Sequence, residues 1–203
     1  MRIPPARALA VCTLGLALLT PLAAQATETI VLLRHGEKPD GGYGQLNCQG
    51  LNRALALSTL LPQKFGNPDF LFAPMPGLKK DSAGTFNYIR PLATIEPTAI
   101  SLGMPVDTRF EFADIHGLEQ ALLQPRYHDK RIFVAWEHKE AEELARDLMK
   151  QYGDRTEIPK WSSKDFDSLY ILKIDYPGNK PHVTFMHDVQ GLNDQPLTCI
   201  RSR

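Results

Sequence analysis

Thr29-Ile30-Val31-Leu32-Leu33-Arg34-His35-Gly36-Glu37 is the stretch whose reading decides the fold. Its first five residues are aliphatic or β-branched, the composition of a short buried strand. The apolar run then stops, and a guanidinium, an imidazole and a glycine follow side by side. Open α/β sheets bind ligands in the crevice beyond the carboxyl ends of their parallel strands. In such a crevice arginine offers a planar fork of donors to phosphate oxygens. Histidine serves there as nucleophile or proton carrier, and glycine lets the backbone turn tightly or approach a ligand. A surface loop with two basic residues would read the same over these few positions. The strand placement and a second match further on decide against that.

The second match is Arg131-Ile132-Phe133-Val134-Ala135-Trp136, another short apolar run, followed by Glu137-His138. A helical pattern opens at Lys139 and carries Ala141, Leu144, Ala145, Leu148 and Met149 on its apolar stripe. A second imidazole therefore also sits at a strand-to-helix junction. If the two strands are parallel neighbours, both histidines face one crevice.

These residues resemble the histidine phosphatase superfamily, the group that includes cofactor-dependent phosphoglycerate mutases and many small phosphatases. Leu33-Arg34-His35-Gly36-Glu37 is similar to its defining motif. Leu46-Asn47-Cys48-Gln49-Gly50, running into Arg53-Ala54, resembles its Leu-Thr-x-x-Gly helix start. Arg90 with Thr94 resembles the Arg-x-x-x-Thr segment of the second phosphate-binding arginine, and Glu137-His138 the second catalytic histidine. The resemblance spans most of the chain after residue 28. It departs at Lys139, where many relatives have a small residue, and at Asn87-Tyr88-Ile89, where relatives often have serines. Both departures bear on the substrate more than on the phosphate site.

The resemblance implies a phosphoglycerate mutase-like fold, and the alternation of strand and helix signals agrees. The expected elements are strands at 29–34, 69–73, 131–136, 170–174 and 183–186, with helices at 49–61, from 90 onward, and at 139–151. Pro62 and Gly66 are expected to end the first helix, and Pro97 to kink or restart the second. Pro74 to Asn87 reads as a polar loop. The sum is one three-layer α/β/α sandwich with a mostly parallel central sheet, over residues 27–203.

Composition agrees with one ordinary globular domain. The chain has 203 residues, 43% hydrophobic and 23% charged. Lys plus Arg and Asp plus Glu both number 23, so the formal net charge is zero and no polyanion partner such as nucleic acid is indicated. Residues 1–26 read as a secretory signal peptide: Arg2 and Arg7, an apolar stretch from Ala8 to Leu19, then Ala24-Gln25-Ala26 as the cleavage pattern. The mature chain is expected in a periplasm or outside the cell, with no stable membrane insertion after cleavage. Two cysteines remain, Cys48 and Cys199; in an oxidising compartment the pair is expected to form a disulfide, the alternative being two free thiols.

Phosphoryl transfer needs charge neutralisation and in-line positioning. Arg34, Arg90 and a protonated His138 are candidates to clamp the phosphoryl oxygens, with Glu37 at the pocket. The resemblance implies that His35 forms a phosphohistidine, which water hydrolyses, and that no metal or other cofactor is needed. It also implies an acid from the segment after the second arginine, where Glu111 and Asp114 stand, with Asp114 preferred. The expected activity is an exported phosphomonoesterase acting on a small phosphorylated substrate. The alternatives are a mutase-like phosphotransferase and a non-catalytic phosphate-binding module on the same fold. His128, His182 and His187 lack metal-ligand spacing. Trp136 and Trp161 read as packing residues, and Lys79, Lys80 and Arg109 as a basic rim.

Overall fold

The computed structural model describes residues 27–199. The expected signal peptide and the final four residues lie outside them. A five-stranded sheet with the order β2-β5-β1-β6-β7 forms the middle layer. Its strands are β1 (Thr27–Arg34), β2 (Phe70–Phe72), β5 (Arg131–Trp136), β6 (Ser168–Asp175) and β7 (His182–Val189). β1 pairs parallel with β5, and β5 with β2. β6 runs antiparallel to both β1 and β7. Four of the five strands thus point the same way, and only β6 runs against them.

The apolar run in β1 is continuous because both of its faces are covered, as expected for a strand inside a parallel sheet. Ile30 and Leu32 pack with Trp136, Leu144 and Leu148 on one side. Val31 and Leu33 pack with Leu57, Leu61 and Ile95 on the other. The second side is roofed by α1 (Cys48–Phe65) and α2 (Arg90–Leu102), the first by α3 (Ile115–Leu122) and α4 (His138–Tyr152). This is the expected three-layer α/β/α sandwich with a mostly parallel sheet.

Several boundaries differ from expectation. α1 runs through Pro62 to Phe65 and stops at Gly66, whose φ of 82° breaks the helix. Leu61, fully buried, and Phe65, packed edge-on against Phe133, hold the last turn in place and outweigh the lost backbone donor. α2 likewise continues through Pro97, flanked by buried Ile95, Thr98 and Ala99. The segment read as a polar loop contains a hairpin, β3 (Leu78–Asp81) and β4 (Gly84–Asn87), whose short, largely polar strands carry no strong period-two signal. α3 was not foreseen at all.

Cys48, the first residue of α1, is joined to Cys199 by a disulfide, with Cα atoms 4.7 Å apart. Asn52 Nδ2 donates to the carbonyl oxygens of Pro196 (2.8 Å) and Thr198 (3.0 Å), so the C-terminal segment is strapped along α1 by polar bonds as well. The bridge spans 151 residues. A loop of that length has a chain-entropy value of about 5 kcal/mol, less any strain in the folded state. Cys48→Ser/Cys199→Ser is expected to unfold at markedly lower denaturant than the oxidised wild type, and reduction of the wild type should reproduce the shift. Coincident chemical-denaturation curves would show that the bridge does not contribute.

Candidate active site

The register of β1 against β5 builds the site. Arg34 lies opposite Trp136, so the next residues of both strands leave the sheet together. The His35 amide donates to the Trp136 carbonyl at 3.0 Å, extending the pairing by one step. Glu137 caps α4, its carboxylate accepting from the Lys139 amide at 2.8 Å, and His138 opens that helix.

The chain after His35 must fold back at once against the start of α1. A Cβ on Gly50 would lie 2.3 Å from the Glu37 carbonyl oxygen, and one on Gly36 would lie 2.8 Å from that of Gly50. Only glycine fits at either position, because both obstacles are backbone. Thr94 Oγ1, on α2, accepts from the Gly36 amide at 2.9 Å and so fixes the same turn from the other side.

The result is a cleft of about 570 Å³ lined by Arg34, His35, Arg90 and His138, with Lys79 and Glu137 among the other walls. His35 is only 2% exposed. Its Nδ1 lies 2.7 Å from the Gly36 carbonyl oxygen, which accepts a hydrogen and so selects the Nδ1–H tautomer, leaving the Nε2 lone pair unprotonated. Burial pushes its pKa well below the usual imidazole range, and the nearby Arg90 and Arg34 charges add to this against the Gly36 bond. The ring is therefore neutral at pH 7.

Arg34 is anchored from the far side. One terminal nitrogen donates to the carbonyls of Ser163 (2.8 Å) and Asp165 (2.9 Å), and the guanidinium lies 3.8 Å from the centre of the Phe166 ring. Arg90 opens α2, with Pro91 in the first turn. It donates to Asp81 Oδ2 at 2.6 Å and stacks on Tyr88. Burial would raise the Asp81 pKa, but Arg90 and Lys38 more than offset it and hold the group at about 2. His138 Nδ1 sits 2.6 Å from Glu137, a close contact outside hydrogen-bond angles. Glu137 is also held at about 2: the His138 imidazole, the Lys139 amide and Lys79 together outweigh its burial.

Seven buried side-chain polar atoms among the described residues lack a hydrogen-bond partner, and four belong to this site: Arg34 Nε, Arg90 Nε, His138 Nδ1 and Tyr88 Oη. Unsatisfied buried donors cost free energy. Their concentration here marks a place suited to a ligand rich in acceptor oxygens.

Three expected site residues lie elsewhere. Glu37 turns away from the cleft and accepts both the Nε–H and a terminal N–H of the fully buried Arg53 (3.0 and 2.6 Å). A carboxylate so engaged braces the turn after His35 and does not hold phosphate. Asp114 is exposed and caps α3 by accepting from the Gly117 amide at 3.1 Å. Glu111 is exposed too, and neither carboxylate lines the cleft. Arg109 pairs with Asp107 outside it. His128, His182 and His187 also stand apart from the cleft; His128 stacks on Tyr176.

The sequence reading missed Lys38, Asp81, Phe112, Ser163 and Glu140, which line the cleft, and Phe166, which backs Arg34. Glu140 was legible as the third residue of a helix that starts at a site histidine. Ser163 was not, since it acts through its backbone carbonyl.

No family profile and no curated protein matches the sequence. Solved structures do match. Phosphoglycerate mutase from Plasmodium falciparum superposes with a TM-score of 0.53 at 12% identity, over 88% of this chain and 99% of that one. Mycobacterial glucosyl-3-phosphoglycerate phosphatase, in complex with inorganic phosphate, gives 0.51 at 14% identity, over 78% and 95%. A Nakamurella multipartitia protein provisionally assigned as the phosphohistidine phosphatase SixA gives 0.53 at 12% identity, over 80% and 95%. The chain has the phosphoglycerate mutase-like fold that these structures share. On that fold, Arg34 and His35 end the first strand and His138 opens the helix after its parallel neighbour.

Arg90→Lys tests the guanidinium pair. Lysine keeps the charge but loses the fork. Inorganic phosphate is expected to bind this variant at least about tenfold more weakly, near 1.4 kcal/mol, by titration calorimetry. Unchanged affinity in a folded variant would place Arg90 outside the anion site.

Proposed function

We propose that this chain is an exported phosphatase that hydrolyses small phosphomonoesters through a phosphohistidine on His35. One observation carries the reading: a buried, neutral imidazole, its Nδ1 bound to a carbonyl, lies in one cleft with two arginines and a second histidine. Export rests on the N-terminal pattern of charge, apolar stretch and Ala24-Gln25-Ala26.

In the proposed reaction Arg34 and Arg90 neutralise the phosphoryl oxygens, with His138 beside them. The His35 Nε2 lone pair attacks phosphorus in line, the P–N bond forms and the ester P–O bond breaks. Water then attacks the phosphohistidine, breaking P–N and releasing inorganic phosphate. Two guanidinium groups supply the charge neutralisation that metal ions provide in other phosphoryl-transfer sites.

The leaving oxygen needs a proton, and Asp114 does not reach the cleft. Three carboxyl groups line it: Asp81, Glu137 and Glu140. The first two are held near 2 by their cations and stay ionised. Glu140 is shifted the other way, by burial first and by the Glu137 and Glu143 charges next. It therefore keeps its proton to higher pH than either neighbour, and in this reading it is the acid, regaining the proton from the attacking water.

His35→Ala is expected to reduce hydrolysis of p-nitrophenyl phosphate to background with the fold intact, whereas excess chelator leaves wild-type activity in place. Turnover that survives in folded His35→Ala would remove the nucleophile from the scheme. Loss in chelator that one divalent metal restores would replace it with a metallophosphatase.

Glu140→Gln separates leaving groups. An alkoxide needs protonation and nitrophenolate does not, so the variant should lose about a hundredfold on an alkyl phosphate and little on p-nitrophenyl phosphate. In the wild type the alkyl-ester rate should fall as pH rises through the Glu140 pKa, and fall again as pH drops through that of His35. Only the first limb should vanish in the variant. Equal losses on both esters, or a retained alkaline limb, would reject Glu140 as the acid.

A further inference from the structure

Six arginine and lysine side chains and three carboxyl groups line the cleft, on a chain whose formal net charge is zero. Two of these cations are already matched. Lys38 and Arg90 share Asp81. Lys79 is not matched: among the described residues no carboxylate forms an ion pair with its ammonium. That group lies instead over two aromatic faces, 4.4 Å from the centre of Tyr88 and 4.1 Å from that of Phe112. Burial lowers its pKa, as expected for a half-buried ammonium with no acceptor, while the charges of Glu137, Glu140 and Asp81 hold it up.

The placement is built from several elements. Lys79 stands on β3, paired in register with Phe86 of β4. Phe112 is held by Trp136, whose indole nitrogen donates to the Phe112 carbonyl at 2.8 Å. The ammonium and the nucleophile both lie against Tyr88. The His35 ring meets its edge at 5.9 Å, which with the 4.4 Å to Lys79 bounds the two groups to within about 10 Å of each other. Aromatic faces attract the cation but offer no acceptor for its N–H bonds, so its hydrogen-bonding capacity remains open to a ligand.

The geometry points to a second anion subsite at Lys79, so that the preferred substrate carries another negative group, a phosphate or a carboxylate, a few bonds from the ester phosphate. The inference deepens the phosphatase reading by naming a substrate class for the same cleft. Arg34 and Arg90 take the reacting phosphate, and Lys79, on the hairpin wall, takes the second group. Glu140 and Glu137 face the same space and disfavour bulky polyanions, which leaves a compact bis-anionic metabolite as the class.

The test uses two unreactive probes of equal length, propylphosphonate and propane-1,3-diphosphonate, in titration calorimetry on the oxidised mature chain. Wild type is expected to bind the diphosphonate at least about tenfold more tightly, beyond its twofold statistical advantage. Lys79→Gln should bring the ratio of affinities down to about that statistical factor, and Lys79→Arg, which keeps charge and ring contact, should retain most of it. If Lys79→Gln fails to fold, Lys79→Met keeps the apolar stem against the rings and is read in its place. No preference in wild type, or a preference that survives loss of the charge, overturns the subsite. Hydrolysis of p-nitrophenyl phosphate without any preference defeats this inference alone. A Lys79-dependent preference without hydrolysis defeats the phosphatase reading and leaves the subsite standing.

Discussion

Everything at the site depends on the parallel pairing of β1 with β5. The pairing sets Arg34 opposite Trp136, and the bond from the His35 amide to the Trp136 carbonyl carries the alignment one residue past the strand ends. A slip of one residue would send every β1 side chain to the opposite face. Ile30 and Leu32 would then have to fill the space shaped for Val31 and Leu33, and both cores would lose their fit. The placement of one histidine near the other is thus secured by packing energy distributed over two hydrophobic layers. Few residues need to be spent near the chemistry to hold it.

A second constraint is the buried Arg53. Its guanidinium reaches Glu37 after the site turn, Asp167 before β6 and Gln190 after β7. An isolated charge at that depth would be very costly, and truncating either side of such a pair leaves an uncompensated ion. Here two carboxylates and two amide oxygens, those of Gln190 and Asn193, surround it, and three segments distant in sequence are fixed at one point. Glu37 therefore serves the site without touching it: by holding Arg53 it fixes the turn that sets the carbonyl of Gly36, and that carbonyl sets the tautomer of His35. The tight contact between Gly36 and Gly50 reinforces the same turn.

The fold was largely legible in the sequence because its strands are buried on both faces and read as plain apolar runs. Arg34, His35 and His138 were legible because each sits at the boundary between such a run and the next element, and Arg90 because, with Thr94, it resembles the Arg-x-x-x-Thr segment. What escaped had a common physical cause. The β3–β4 hairpin is short, largely polar and partly exposed, so its stability comes from contacts with the Gly41–Gly44 loop and carries no period. Asp81 went unassigned with it, and Lys79 was read only as part of a basic rim. Asp114 was misplaced because order along the chain says nothing about which way a loop carboxylate faces. In the fold it is worth more as a helix cap than as a neighbour of the cleft. Pro62 shows the converse, where a local rule predicted a helix end that tertiary packing overrode, and at Pro97 the helix continues without restarting.

The disulfide has a consequence for the integrity of the molecule. Every bond between residues 48 and 199 lies inside one covalent ring. A single proteolytic cut in any loop of that ring opens it into a linear chain without releasing a fragment. A nick between β3 and β4, for example, puts Arg34 and His35 on one piece and Arg90 and His138 on the other. The two pieces remain tethered, and the tether keeps their mutual concentration high enough for the shared sheet to stay assembled. Damage that would halve an open polypeptide here leaves one molecule with both halves of its cleft still tethered.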